Sequence, residues 1–471
     1  MKSSTSRSVV MPRPPMRIPT IGGSYFALAV LFVMNTLNYV DRYAFFAAGS
    51  HIQKELNIDD YWFGWLGAAF MIVYTAIAPF TGWLGDRYNR KLLIFGGVGL
   101  WSLATVGAAF SADFYHMFFW RSLLGIGEAS YGVIAPALLA DLFPVSGRGR
   151  AMGVYYLALP LGTALGFFLG GTIADALGWR AVFFVVGLPG LLAAFAALVM
   201  RDPGRGASEV ASSKVDTARP GMSDYLELLK TKTFVFNTLG MAAVTFATGA
   251  YAAWGSTFYQ RIHGLTATEA GQRIGLLLVG AGLIGIVLGM FVPDLLNKLT
   301  KRAYLLLAAV AVLGATPLGI FGILNHNTNM SLSYLFCASI LLSMVLGPCN
   351  TITANVVPPN RRAAAYAAFI FFIHLFGDIS SPVLLGWVSD LFGKPNVMAS
   401  SVGRFFESIG ATPVPTALGA TNLTVAMLSV APILLLGFVF FSIGSIFLPA
   451  DQERARGAGG VATDDLAQFH H

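Results

Sequence analysis

The sequence predicts an all-α membrane protein of twelve transmembrane helices, arranged as two six-helix halves. Three observations carry that expectation. The 471 residues are 56% hydrophobic and 11% charged, with a mean hydropathy of +0.68, whereas a soluble domain carries about 25% charged residues. The apolar runs are long and continuous, as in LLLAAVAVLGATPLGIFGIL, unlike the short alternating strands of a membrane barrel. A helix needs roughly 20 apolar residues to cross a bilayer, and twelve such segments with short loops fit the chain. An ordinary cytosolic enzyme and a disordered chain are thereby excluded.

In the first half the segments run over 25–48, 60–81, 92–111, 115–140, 151–172 and 181–200. In the second they run over 234–259, 271–292, 303–323, 332–357, 363–387 and 421–448. The stretch 201–233, polar and rich in Gly and Ser, reads as a linker between bundles 25–200 and 234–448. Tails at 1–24 and 449–471 flank them, and the polar stretch 388–420 is expected to be the longest loop on the opposite side. The N-terminus is basic and Pro-rich, and the first apolar run is long enough to span, so it is read as a retained helix.

With the N-terminus inside, 22 of the 30 Lys and Arg residues fall on the inner side and six on the outer. The remaining two, Arg42 and Arg121, lie within spans. The positive-inside rule then places both termini in the cytoplasm, in the inner membrane if the cell is bacterial. It also accounts for the net charge of +7 without a nucleic-acid partner. Cys337 and Cys349 are twelve residues apart in one apolar segment, about 18 Å along a helix and too far to bridge. No metal-ligand spacing is present, so no cofactor and no metal is expected, and a monomer suffices for the fold.

The halves echo one another. RGRAMGVYYLALPLGTALGFFLGGTIAD (148–175) is similar to RRAAAYAAFIFFIHLFGDISSPVLLGWVSD (361–390) in its basic start, small residues and acidic close. Such six-plus-six repeats place a substrate site near the bilayer midplane, between the halves. GWLGDRYNRK (82–91) lies in the expected inner loop after the second span and resembles the signature loop of the major facilitator superfamily. A degraded copy, PDLLNKLTKR, stands at 293–302. NYVDRYAFF in span one, RSLLGIGEASYGV in span four and HLFGDISSPVLLGWVSD in span eleven together resemble the spinster family; the short loops look like those of a bacterial member. The resemblance implies the major facilitator fold and transport of lysophospholipids or sphingoid phosphates.

Charge within hydrocarbon is costly and marks function by default, so Asp41, Arg42, Arg121 and Glu128 are the most informative residues. Asn35, Asn38 and Arg42 share one helical face, while Asp41 points about 100° away from Arg42 and should meet different neighbours. Arg121 and Glu128, seven residues apart, share a face at different depths. Arg42 and Arg121 suit a phosphate because the guanidinium fork donates bidentate bonds and stays charged; Asp41 and Glu128 would be the titrating, proton-coupling groups. A structural ion-pair network is the alternative.

His374, Asp378 and Ser381, at i, i+4 and i+7, are expected to share a face of span eleven, with His374 completing a substrate site with Asn35, Arg42 and Arg121; a helix–helix hydrogen-bond cluster is the alternative. Within the signature loop, the resemblance assigns Gly82, Asp86, Arg87, Arg90 and Lys91 to gating; a purely topological anchor is the alternative. Gly162, Gly166 and Gly170 recur every four residues and read as close helix packing. No Ser or Cys nucleophile constellation is apparent, so an enzyme is not expected. Partners are then the lipid substrate, protons and membrane lipid. The rival readings are a proton-coupled carrier of a drug or organic anion, a lipid-modifying enzyme, and a scramblase.

Overall fold

The computed structural model describes residues 23–204, 227–358 and 361–458. The N-terminal tail through residue 22, most of the linker (205–226) and the chain from 459 lie outside the described residues. Among the described residues, eleven helices are long and apolar enough to cross a membrane. They are α2 (Asp60–Gly85), α3 (Arg90–Ala108), α4 (Phe114–Leu142), α5 (Gly147–Leu177), α6 (Trp179–Val199), α7 (Lys232–His263), α8 (Ala267–Asn297), α9 (Ala303–Leu324), α10 (Thr328–Asn355), α11 (Ala364–Leu391) and α12 (Leu423–Gly457). The twelfth, α1 (Ser24–Ala47), has 24 residues, about 36 Å at the helical rise. Its apolar character is diluted by buried Asn35, Asn38 and Asp41 together with Arg42.

Several spans begin on side-chain caps, which satisfy the free N–H groups of a first turn. Asp59 accepts from Trp62 N, Asn89 from Lys91 N, and Asp113 from His116 N. Thr266 and Glu269 form a reciprocal capping box at the start of α8.

Four departures from the expected segments have local causes. The helix α12 continues past residue 448, so the start of the expected C-terminal tail is helical. The polar stretch 388–420 is not a plain loop: it holds short helices at Pro395–Met398 and Ser401–Ser408, then half of a hairpin. That hairpin pairs β1 (Val414–Thr416) antiparallel to β2 (Gly419–Thr421). Breaks interrupt α5 at Leu157 and α10 at Val345. In each case a proline, Pro160 or Pro348, follows three residues later, where it withholds an N–H from the ladder. In α11 the segment His374–Asp378 is a π-helical turn, closed by Ile379 N donating to His374 O at 3.0 Å. Pro382 lies four residues beyond Asp378, and the widened turn accommodates its ring.

Glycines set the closest helix approaches. A Cβ at Gly162, Gly166 or Gly170 would come within 2.6–2.7 Å of backbone atoms of Thr36, Val40 or Ala44, so α5 lies directly on α1 as the four-residue repeat requires. Between the halves, α5 packs on α8 and α2 on α11. There the tightest points are Gly171 against Ala267 O, Gly386 against Asp60 O, Gly271 against Phe167 O and Gly64 against Pro382 O. All of these lie toward the end of the molecule opposite the termini.

Candidate functional site

Two glycines of α4 seat the charged centre. A Cβ at Gly125 would stand 2.6 Å from Phe70 O of α2, and one at Gly127 2.6 Å from Gly97 O of α3. With no side chain there, α4 wedges between its neighbours and carries Arg121 and Glu128 into the interior. Both are essentially fully buried, at 1% and 0% exposure.

Arg42 Nε and Nη2 both donate to Glu128 Oε2, at 2.7 and 2.6 Å. Its guanidinium carbon lies 4.6 Å from the centroid of Phe70, 5.2 Å from Tyr39 and 5.4 Å from Tyr74. Arg121 Nε donates to Leu66 O at 3.3 Å, and its guanidinium carbon lies 4.0 Å from the centroid of Phe45 and 5.7 Å from that of Phe70. Phe70 therefore serves both arginines. Asp41 accepts a hydrogen bond from the Thr105 hydroxyl of α3. It thus meets a different neighbour from Arg42, as the 100° offset demands. Among the described residues, no hydrogen-bond partner meets buried Glu128 Oε1, Asp41 Oδ1 or Arg121 Nη1. Asn35 Nδ2 donates to Tyr155 O at 3.2 Å, tying α1 to α5 two residues before its break.

In the second half, His374 Nδ1 and Asp378 Oδ2 are 2.9 Å apart. Span eleven was expected to carry His374, Asp378 and Ser381 on one face, and the π turn at His374–Asp378 changes the angular step along it. His374 and Asp378 still meet across it. Ser381 Oγ is buried without a partner and, with Asp378 Oδ1, lies beside Gly249 of α7. His374 bonds within its own span, and Arg42 bonds within the first half.

The signature loop is bound into the first half at the end that bears the termini. Arg90 Nη1 pairs with Asp141 Oδ2 of α4 at 2.5 Å, and Lys91 Nζ donates to Leu198 O of α6 at 3.1 Å. The guanidinium carbon of Arg87 lies 4.2 Å from the centroid of Trp83. Gly82 sits against Val133 of α4, and Asp86 is exposed.

The opposite end holds a cluster that sequence reasoning missed. Asp60 accepts from Gln53 at 2.8 Å, from Arg261 of α7 at 2.9 Å and from Ser389 of α11 at 2.7 Å. Asp390 accepts from the backbone N–H groups of Asp60 and Tyr61 at 3.3 and 2.8 Å, so the end of α11 caps the start of α2 across the halves. Thr268 of α8 donates to Asp175 of α5. One signal was available: Gly386-Trp-Val-Ser-Asp390 repeats the spacing of Gly82-Trp-Leu-Gly-Asp86. Thr105, Phe70, Tyr39 and Tyr74 left no comparable mark.

The Major Facilitator Superfamily model matches residues 31–382. Protein spinster homolog 3 of Danio rerio is 36% identical over 390 residues, covering 79% of this chain and 78% of the relative. The chain belongs to the spinster family of the major facilitator superfamily. Protein spinster homolog 1 of Homo sapiens is 35% identical over 391 residues, covering 78% and 74% of the two chains. Protein spinster homolog 1 of Xenopus laevis is 32% identical over 449 residues, covering 92% and 82%. Among solved structures, a bacterial homolog to the human lysosomal transporter spinster, inward-facing and unoccupied, superimposes with a TM-score of 0.75. It is 23% identical and covers 93% of this chain and 99% of its own, which establishes a shared fold. This spinster-family chain is accordingly an integral membrane transporter with the architecture its hydropathy and repeats foretold, and not an enzyme.

Proposed function

We propose that this spinster-family transporter carries lysophospholipids or related sphingoid phosphates by alternating access, coupled to protons through Asp41 and Glu128. The observation that carries the reading is the Arg42–Glu128 pair with Arg121 beside it on Phe70. Two guanidiniums close to one ring offer a phosphate several donors in low dielectric, while the apolar walls between the halves suit a single acyl chain. Drawing Arg42 toward a phosphate strips Glu128 of its counter-charge and favours the neutral carboxyl there. Substrate and proton are thereby linked, and Asp41, whose one oxygen is bonded to Thr105 and the other to nothing, is the second exchange point.

With the termini in the cytoplasm, as the distribution of Lys and Arg favours, the seal formed by Asp60, Arg261, Ser389 and Asp390 is the outer gate, and this conformation faces inward. In the inner membrane of a bacterium the lipid would exchange with the cytoplasmic leaflet. Flux of lysolipid in proteoliposomes, with and without an imposed pH gradient, tests the whole reading. Wild-type flux should respond to the gradient, and Asp41→Asn and Glu128→Gln should lose that response. Flux indifferent to the gradient removes proton coupling; no lysolipid flux removes the substrate class.

A further inference from the structure

The two copies of the signature loop differ in the partner that their basic end meets. GWLGDRYNRK (82–91) and PDLLNKLTKR (293–302) put Arg90 and Lys301 at the same place in the repeat. The ends of α4 and α10 correspond as well, as Ala140-Asp141-Leu-Phe-Pro144 and Ala354-Asn355-Val-Val-Pro358. In the first half Arg90 and Asp141 form an ion pair, which ties the loop to α4. In the second half an amide, Asn355, stands where that carboxylate would be. Lys301 therefore carries the charge of Arg90 without its counter-ion: among the described residues, no carboxylate lies within ion-pair distance of it.

Lys301 and Asn355 line one cavity of about 360 Å³ at the end that bears the termini, a volume within the range of small-molecule sites. Asn297 of α8, Tyr304 of α9 and Arg456 of α12 line it with them. Glu453, one turn before Arg456, is the carboxylate in its wall, and among the described residues no ion pair joins it to either cation. The nearby Asp294 is engaged by the Tyr304 hydroxyl. The wall thus sets two cations against one carboxylate, with the amides of Asn297 and Asn355 as further donors. Lys301 and Arg456 are exposed, and every one of these residues belongs to the second half, so the cavity opens on the surface of that bundle and not on the path between the halves.

We infer that this cavity binds the phosphate of an anionic phospholipid headgroup, which fills the place that the Asp141 carboxylate holds in the first half. The phosphate bridges Lys301 to Arg456 and so fastens the loop between α8 and α9 to the end of α12. A lipid does in one half what a salt bridge does in the other. On the orientation that the Lys and Arg distribution favours, this end meets the cytoplasmic leaflet, whose anionic lipids seek basic pockets between helices. The site stands apart from Arg42 and Glu128, whatever substrate they carry.

The test uses the full chain, delipidated in a neutral detergent. The probes are phosphatidylglycerol, phosphatidylcholine with the same acyl chains, and inorganic phosphate. Binding is followed by native mass spectrometry and stability by thermal unfolding. Phosphatidylglycerol should bind more tightly than phosphatidylcholine and raise the unfolding temperature. Lys301→Gln and Arg456→Gln should each weaken that binding about fivefold, the share of one basic residue at an anionic lipid surface. Arg302→Gln, one residue along and outside the cavity wall, should leave it unchanged. Asn355→Asp, which supplies the carboxylate of the first half, should stabilise the lipid-free protein and abolish the further effect of the lipid. That variant gains stability, so its loss of lipid binding is not a failure to fold. A lipid effect as large in Asn355→Asp as in wild type, or equal losses from Arg302→Gln and Lys301→Gln, overturns the proposal. Equal stabilisation by inorganic phosphate at the same concentration also overturns it, since the ligand would then be a free anion.

Discussion

Arg42 grips a single oxygen of Glu128 through two of its nitrogens, at 2.7 and 2.6 Å, and leaves the other carboxylate oxygen unbonded. Both residues are held in the first half, on α1 and α4, so the pair does not itself join the halves. Removing Arg42 alone strands a buried carboxylate, an error that costs about 3–5 kcal/mol in comparable pairs. Arg42→Met should therefore lower unfolding stability in detergent by roughly that amount, and adding Glu128→Gln should restore most of it. A double variant as unstable as Arg42→Met would show that packing around the arginine, rather than its charge, is what was lost.

The cross-half cap at the far end gives a second expectation. Asp390 is the acceptor for two N–H groups of the first turn of α2, and bonds to a charged group contribute about 1.5–3 kcal/mol each. Asp390→Ala should shift the conformational equilibrium toward opening at that end by tenfold or more, about 1.4 kcal/mol. Spin labels placed on the loops after α1 and α7, in a background lacking Cys337 and Cys349, would report the change as a longer distance. An unaltered distance distribution would relieve Asp390 of a closing role.

Glycines at two kinds of contact should behave differently when enlarged. A Cβ at Gly171 would lie 2.1 Å from Ala267 O, across the halves. A Cβ at Gly166 would lie 2.7 Å from Val40 O, inside the first half. Gly171→Val should leave each bundle intact and populate the state open at the far end, readable by the same spin labels. Gly166→Val should instead lower thermal stability, since α1 has nowhere to move without losing its seat on α5. Identical phenotypes would erase the distinction between hinge contacts and bundle contacts.

Asp86 is exposed here, while its loop neighbours Arg90 and Lys91 are bonded to α4 and α6. A gating role in the opposite conformation predicts that Asp86→Asn keeps the thermal stability of this state and slows transport. Thiol labelling of a cysteine placed between the halves at the end bearing the termini should rise with the same variant. Transport and labelling both equal to wild type would confine Asp86 to a topological role.

Much of the fold was legible because lipid imposes so few options: long apolar runs become helices, and the basic loops alternate with them. Helix ends were less legible. Hydropathy ends the apolar run of α12 near Leu448, but it does not register that the helix continues through the polar residues that follow, or that Thr266-x-x-Glu269 fixes the start of α8 through side-chain oxygens. At the site, Asp41, Arg42, Arg121 and Glu128 stood out because charge is conspicuous in hydrocarbon. Their partners did not, since Thr105 and Phe70 are ordinary residues for a membrane helix and are chosen by tertiary approach at Gly125 and Gly127. Asp60 and Arg261 escaped notice for another reason. Each lies at a span end, where an isolated charge normally faces water, and only the folded arrangement reveals that they face one another.

The π turn at His374–Asp378 means that α11 is two helical rods joined with an angular phase offset. Every residue after the turn is displaced by one position from where an uninterrupted α-helix would carry it, about 100° around the axis. The rod that follows bears Gly386 and Asp390, which meet the start of α2; the rod before it bears none of those contacts. Deleting one residue from the turn would straighten the helix while preserving its composition, and would rotate Asp390 away from the N–H groups it caps. The number of residues through this segment is thus as much a part of the seal as their identity, and single deletions there should be harsher than most substitutions.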